Sequence, residues 1–145
     1  MVWAVLRKIR AIVFEDDEDI RELMVRVLSN RGYDVFAFEH PFACNSCPDP
    51  IDCPCADIVI SDVFMPYITG TEFVKKMSLL NCGIKNIALM SGTWTSETER
   101  EAQLYCSATF SKPMSIFDLV QWLERAEKNI DLSRPLGDLP KTDSP

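Results

Sequence analysis

Four short apolar runs of the sequence each end in polar side chains that can do chemistry. The residues at these ends are three acids, one hydroxyl and one ammonium: Glu15, Asp16, Asp62, Ser91 and Lys112. If the runs are neighbouring strands of a parallel sheet, their carboxyl ends meet at one edge, which is where such sheets bind ligands. The sequence therefore predicts that these five side chains form one site.

Three carboxylates packed together repel one another, so such a site needs compensating positive charge. Mg²⁺ suits it, because this ion takes a few oxygen ligands, keeps several waters and shares a phosphate oxygen. Lys112 adds a second positive charge that can pair with Asp62 or with a phosphoryl group. Beside these charges Asp62 could attack phosphorus and form an acyl phosphate, whose oxygens Ser91 could then hydrogen-bond. We therefore predict that Asp62 is the reactive group of a phosphate-accepting site.

The elements that must position this site follow from the hydrophobic pattern. Short apolar runs predict buried strands at 9–14, 34–38, 58–60, 87–90 and 108–110. Helical spacing or capping residues predict helices at 20–28, 73–80, 96–106 and from 115 onward. Asp17 is expected to cap the first helix and Ser115 the last. The alternation predicts an α/β fold with a doubly wound, five-stranded parallel sheet.

Length and composition bound the remaining possibilities. With 145 residues, of which 47% are hydrophobic, the chain should form one globular domain. We place this domain at 1–130, with a cysteine-rich insert at 40–56 and a flexible tail at 131–145. The net charge of −7 argues against direct binding of nucleic acid. No stretch approaches the roughly 20 apolar residues that span a bilayer, so we expect a cytoplasmic protein that does not engage the membrane.

Four motifs, in this order, resemble the receiver domain of bacterial two-component response regulators of the stand-alone type. They are IVFEDDEDIREL from Ile12, DVFMP from Asp62 with Gly70, ALMSG from Ala88 and FSKP from Phe110. The resemblance covers roughly residues 9–127. It implies a flavodoxin-like (β/α)5 fold and a phosphoacceptor signalling domain rather than an enzyme.

The resemblance also implies roles for single residues. Glu15 and Asp16 would bind Mg²⁺ together with Asp62 and the backbone carbonyl of Phe64. Asp62 would accept the phosphoryl group from a sensor histidine kinase, and the phosphorylated chain would bind an unknown downstream protein. Homodimers also occur in the family. A phosphatase of related topology is disfavoured, because those enzymes carry a second Asp two positions after the reactive one, where this chain has Phe64.

The resemblance also implies roles for the residues at the other strand ends. Ser91 would supply the switch hydroxyl, and Lys112 would be the lysine that the family carries. Pro113 would follow a cis peptide bond.

The sequence departs from the family pattern at two positions near the site. The family usually carries an aromatic switch residue three positions before the lysine, and here that position is Thr109, with Phe110 beside it. Phe64 stands two positions after Asp62, and we hypothesise that its bulk slows attack of water on the acyl phosphate.

The largest departure is the cysteine-rich insert, where the family has its second helix. Three prolines make a regular helix costly there: Pro48, Pro50 and Pro54. Four cysteines could bind Zn²⁺ or an iron–sulfur cluster: Cys44, Cys47, Cys53 and Cys55. His40 is an alternative ligand, and the thiols could instead stay free or pair as disulfides. If the insert binds metal, the chain could be a metal- or redox-sensing binding module built on the same scaffold.

Overall fold

The computed structural model describes residues 6–41, 55–80 and 82–137. Five strands form one parallel sheet: β1 (Arg10–Phe14), β2 (Asp34–Phe38), β3 (Ile58–Asp62), β4 (Asn86–Ser91) and β5 (Ala108–Ser111). Within the described residues, four helices accompany these strands: α1 (Glu18–Asn30), α2 (Gly70–Leu79), α3 (Ser96–Gln103) and α4 (Ile116–Glu127). The strand order is β2-β1-β3-β4-β5. The predicted α/β fold with a doubly wound, five-stranded parallel sheet is therefore confirmed.

The central strands are apolar without interruption because helices cover both faces of the sheet. Alternate residues of β1 enter different cores: Ala11 and Val13 pack with α1 and α4, whereas Ile12 and Phe14 pack with α2 and α3. Every residue of β3 is buried, including the polar Asp62 at its end. Because the strands are packed on both faces, their carboxyl ends have fixed positions relative to one another, and the site lies at these ends.

The predicted helix caps at Asp17 and Ser115 are confirmed, since their side chains accept backbone N–H bonds at the starts of α1 and α4. Helix α2 begins earlier than predicted, at Gly70, because the Thr69 hydroxyl accepts the N–H of Glu72 at 3.1 Å. Helix α3 ends at Gln103 rather than 106. Its last carbonyls are taken by N–H groups three residues on, which tightens the chain into a turn.

The first seven residues of the predicted tail, 131–137, contact the body of the domain in the structure. Leu132 packs against the core that α1 and α4 cover. The guanidinium of Arg7 bonds the carbonyls of Asp131 and Arg134 and forms a two-pronged ion pair with Asp57, whose carboxylate is 2.7 and 2.9 Å away. The sequence did not indicate this packing, because the segment is held by one apolar side chain, Leu132, and by backbone carbonyls that accept from Arg7.

Within the described ranges, no helix is both long and apolar enough to cross a membrane. The described ends of the cysteine-rich insert, 40–41 and 55–56, contain no α-helix. The rest of the insert, 42–54, lies outside the described residues, and so does the loop that was expected to replace the second helix.

Candidate functional site

The site forms where β1 and β3 end side by side. Phe14 and Ser61 are paired in the sheet register, so the next residues, Glu15 and Asp62, stand next to each other at the carboxyl edge. The backbone N–H of Glu15 donates to the carbonyl of Phe38 at the end of β2, 3.0 Å away. The Glu15 side chain is 0% exposed, and the Asp62 side chain is also buried. Two carboxylates are therefore held in the interior within reach of one another.

Lys112 joins these two carboxylates. Its ammonium donates to Oε1 and Oε2 of Glu15, at 3.2 and 3.0 Å, and to Oδ2 of Asp62, at 2.9 Å. The lysine follows β5, two strands away from β3 in the sheet, and the peptide bond that joins it to Pro113 is cis, as the resemblance implied. Its backbone N–H donates to the carbonyl of Ser91 at 2.9 Å, which ties the lysine to the end of β4.

Asp16 completes a cluster of three acids. One carboxylate oxygen from each of Glu15, Asp16 and Asp62 lies within 4.8 Å of the others, and Asp16 is exposed whereas the other two are buried. With the carboxylates ionised, Lys112 leaves two negative charges uncompensated, which one divalent cation balances. A set of carboxylate ligands of which one, Asp16, faces solvent fits Mg²⁺, because this ion retains several waters. The acidic cluster therefore fits the magnesium site that the sequence predicted.

Burial and charge act on the protonation of the two inner groups. Burial raises the pKa of Glu15 above its ordinary value, as does the charge of Asp62, although the hydrogen bond from Lys112 opposes them. Burial on its own lowers the pKa of Lys112, but the hydrogen bonds to Asp62 and Glu15 raise it more, so the net shift is upward. Lys112 therefore stays protonated in the site. The carboxyl group of Glu15 holds its proton more tightly than an ordinary glutamate does when no metal is bound.

The loop after β3 packs tightly against Asp62. The N–H of Gly70 donates to the carbonyl of Val63 at 2.8 Å, which brings the start of α2 against the strand end. A Cβ atom at position 70 would collide with the backbone oxygen of Asp62, so the position requires glycine. The N–H of Phe64 points toward Oδ1 of Asp62 at 3.4 Å, whereas its ring is 60% exposed. Sequence reasoning singled out Gly70 as a motif residue but did not find this close approach.

Tyr67 is a second feature of this loop that the sequence did not reveal. It is a non-glycine residue with a positive φ of 76°, which is rare for a bulky side chain. The N–H of Ile68 donates to the carbonyl of Pro66 at 3.0 Å, so Tyr67 is the central residue of a γ-turn. The ring of Tyr67 is exposed and contacts His40 edge to face, with 4.8 Å between ring centroids.

Ser91 ends β4 and is buried. Its Oγ accepts the backbone N–H of Thr93 at 3.0 Å. It also lines a groove of about 290 Å³ between α2 and α3, together with Val63 and Phe64 from the loop that follows Asp62. The hydroxyl therefore borders the same space as the residues directly after Asp62.

Thr109 and Phe110 lie in β5 and point to opposite sides of the sheet, as neighbours in a strand do. Phe110 packs against the core that α1 and α4 cover, where its ring meets Trp122 edge to face with 6.0 Å between centroids. Thr109 is partly buried, and the register pairs it with Leu89 of β4.

The predicted metal site in the cysteine-rich insert gains no support from the described residues. Cys44, Cys47 and Cys53 lie outside them. Cys55 is buried in the core that α2 and α3 cover, where it packs like a small apolar residue. His40 contacts Tyr67. Among the residues that the structure describes, Glu15, Asp16 and Asp62 form the group of potential ligands that could hold a metal ion.

The fold and this acidic edge define a class of signalling domain, and comparison with known families agrees. The model of the response regulator receiver domain family matches residues 11–124. The chain therefore belongs to this family and is a response regulator receiver domain of two-component signalling. Phosphorylation and Mg²⁺ binding at an acidic pocket are standard for the family.

Individual relatives are distant in sequence but similar in structure. The response regulator receiver protein CpdR of Brucella abortus (strain 2308) is 25% identical over 121 residues, which cover 80% of this chain and 94% of that protein. The chemotaxis response regulator CheY4 of Vibrio cholerae has a TM-score of 0.67 at 23% identity and covers 83% of this chain and 99% of that one. The signal receiver domain of an HD domain-containing protein from Pseudomonas fluorescens Pf-5 has a TM-score of 0.72 at 18% identity, with coverage of 88% and 92%. At these identities the solved structures establish the fold alone.

Proposed function

We propose that Asp62 accepts a phosphoryl group from a sensor histidine kinase and that the modified domain changes its binding to a downstream protein. The observation that carries this proposal is the shared ammonium of Lys112, which holds Asp62 and Glu15 at 2.9 and 3.0 Å in a buried acidic cluster. Burying two carboxylates beside an ammonium costs desolvation energy, and clusters of titratable groups with shifted pKa values are typical of sites that do chemistry.

In the proposed transfer an oxygen of Asp62 forms a bond to phosphorus while the bond from phosphorus to the donor's imidazole nitrogen breaks. The leaving imidazole nitrogen keeps the electron pair of the broken bond and takes a proton from solvent, so the ring is released in its neutral form. Lys112 turns from Oδ2 of Asp62 toward a phosphoryl oxygen, which keeps the ammonium paired throughout. The Ser91 hydroxyl then donates to another phosphoryl oxygen.

Glu15, Asp16, Asp62 and the backbone carbonyl of Phe64 would hold Mg²⁺ in this site. When bound, the ion supplies positive charge to the phosphoryl oxygens during transfer. Glu15 and Asp16 would hold the ion beside Asp62, while Lys112 donates to Oδ2 of Asp62. Three ionised carboxylates and one ammonium leave two negative charges, which a divalent ion would balance and a monovalent ion would not.

The proposal is tested by incubating the protein with Mg²⁺ and acetyl phosphate and measuring the intact mass. We expect a gain of one phosphoryl group that requires Mg²⁺ and is lost in Asp62→Asn. Asp57→Asn is the matched control, since it makes the same substitution at a buried acid that pairs with Arg7 instead. Equal phosphorylation of the wild type and Asp62→Asn would overturn the proposal.

Transfer from the biological donor is a separate measurement. Sensor histidine kinases from the same genome would be autophosphorylated with labelled ATP and mixed with the protein for short times. We expect one of them to lose its label to the wild-type chain much faster than to Asp62→Asn. A label that moves equally to both chains would show that the kinase phosphorylates another residue.

A further inference from the structure

The loop between β4 and α3 is held at both of its ends. At one end, Oγ of Ser91 accepts the N–H of Thr93 at 3.0 Å, and the two hydroxyl oxygens are 3.4 Å apart. At the other end, Thr95 and Thr98 form a reciprocal capping box with bonds of 3.0 and 2.9 Å. The loop is therefore tied to the buried hydroxyl of Ser91 and to the first turn of α3.

Trp94 adds a third anchor, in the middle of this loop. Its indole N–H donates to the carbonyl of Phe110 in β5 at 2.8 Å, which is a short and well-formed bond. Strand β5 is at the edge of the sheet and has β4 as its strand neighbour. The indole thus connects the loop that carries Thr93 to the edge strand that leads to Lys112.

The same indole also borders the space beside the site. The groove of about 290 Å³ is lined by Ser91, Thr93 and Trp94 on one side and by Val63 and Phe64 on the other. The loop that Trp94 anchors and the loop that follows Asp62 therefore face one another across a single cavity.

From these contacts we infer that Trp94 is a latch that holds Ser91 in its resting position, an inference that rests on the proposed phosphorylation of Asp62. In this inference, Oγ of Ser91 turns about the Cα–Cβ bond, away from the position in which it accepts the N–H of Thr93, and donates to a phosphoryl group on Asp62. The N–H of Thr93 must then follow Oγ or lose its acceptor. Since the indole pins the next residue to β5, the bond to Phe110 resists this movement, and Trp94 is a positioning residue that acts through Ser91.

The latch makes a quantitative prediction for Trp94→Phe, which keeps an aromatic ring but removes the N–H donor. Loss of one net hydrogen bond from the resting arrangement should tighten binding of a phosphoryl mimic roughly two- to tenfold. The probe is beryllofluoride with Mg²⁺, measured by calorimetry. Trp122→Phe is the matched control, because it removes an indole from the core against Phe110 without touching the loop, and we expect its dissociation constant to stay at the wild-type value.

A second background separates a latch from a general structural role. In Ser91→Ala the hydroxyl that the latch restrains is absent, so adding Trp94→Phe should leave the dissociation constant unchanged. The same gain in both backgrounds would overturn the latch. An independent check is the emission of the protein that carries Trp3→Phe and Trp122→Phe, in which Trp94 is the remaining tryptophan. Its emission should shift on addition of Mg²⁺ and beryllofluoride because Trp94 moves, and an unchanged emission would contradict the inference.

The outcomes distinguish the latch from the function on which it rests. If the wild type fails to bind beryllofluoride with Mg²⁺, the proposed function is overturned and the latch with it. If the wild type binds and Trp94→Phe has the same dissociation constant, the latch alone is overturned.

Discussion

The ammonium of Lys112 lies 2.9 Å from Oδ2 of Asp62 and 3.0 Å from Oε2 of Glu15, so one cation serves two buried carboxylates that come from different strands. The lysine follows the edge strand β5, whereas Glu15 follows β1 and Asp62 is the last residue of β3, both near the centre of the sheet. The ammonium therefore offsets part of the repulsion between the two carboxylates when no metal is bound.

Removing the ammonium should expose the repulsion between the acids. In Lys112→Met we expect the free energy of unfolding without metal to fall by about 1–3 kcal/mol, because the buried carboxylates of Glu15 and Asp62 lose their shared hydrogen-bond donor. Mg²⁺ should restore more stability to this variant than to the wild type. Chemical denaturation with and without Mg²⁺ checks both statements, and Lys76→Met on the exposed side of α2 is the control. An equal loss in the two variants would contradict this reading of the ion pair.

Stability without metal should also depend on pH through Glu15. Burial raises the pKa of this carboxyl above its ordinary value of 4.5, so the folded chain binds the proton more tightly than the unfolded chain. The contribution of the group to stability is therefore full below pH 4.5 and is lost as the pH rises through the raised pKa.

Denaturation curves measured across this window should show the loss in the wild type and in Glu124→Gln, which changes an exposed acid of α4. Glu15→Gln should lack that component. If Glu15→Gln keeps the same pH dependence as the wild type, the titrating group is elsewhere.

Gly70 should tolerate no side chain. A Cβ at this position meets the backbone oxygen of Asp62, and α2 cannot retreat without breaking the bond from Gly70 to Val63. We expect Gly70→Ala to reduce the free energy of unfolding by about 3 kcal/mol or more and to impair phosphorylation. In Gly92→Ala the new Cβ would lie 3.9 Å from Cβ of Lys112, an ordinary contact, so this control should change stability little. Equal melting temperatures for the two variants would show that the loop after β3 adapts.

Phe64 should slow loss of the phosphoryl group. Phe64 has an exposed ring and lines the same groove as Ser91, and we expect the ring to obstruct water that approaches a phosphoryl group on Asp62. We expect Phe64→Asn to shorten the lifetime of the phosphorylated protein by roughly threefold or more, which corresponds to about 0.7 kcal/mol in the barrier. Phe117→Asn, at an exposed ring of α4, is the control. The decay of phosphorylated protein after donor removal measures the effect, and identical lifetimes would exclude a shielding role.

The sequence was sufficient to predict the sheet and the grouping of the acids, and the reason is topological. In a parallel sheet the carboxyl ends of the strands share one edge, so Glu15 and Asp62 could be placed together from two apolar runs alone. The caps at Asp17 and Ser115 were equally local, because each depends on the three residues that follow it.

The features that escaped prediction depend on contacts between distant segments or on backbone geometry. Nothing in the local sequence indicates that the indole of Trp94 bonds Phe110, or that Arg7 gathers carbonyls from residues beyond Ile130. The positive φ of Tyr67 was hidden for another reason, since a tyrosine is among the residues least expected in that conformation.

The central claim, that Asp62 is the residue phosphorylated, has one direct test. The protein is treated with acetyl phosphate and Mg²⁺ and reduced with borohydride, which converts an aspartyl phosphate to homoserine, and the peptides are then sequenced by mass spectrometry. We expect homoserine at position 62, in amounts that depend on Mg²⁺ and fall in Lys112→Met. Recovery of unmodified Asp62 from protein whose intact mass shows the added phosphoryl group would contradict the account.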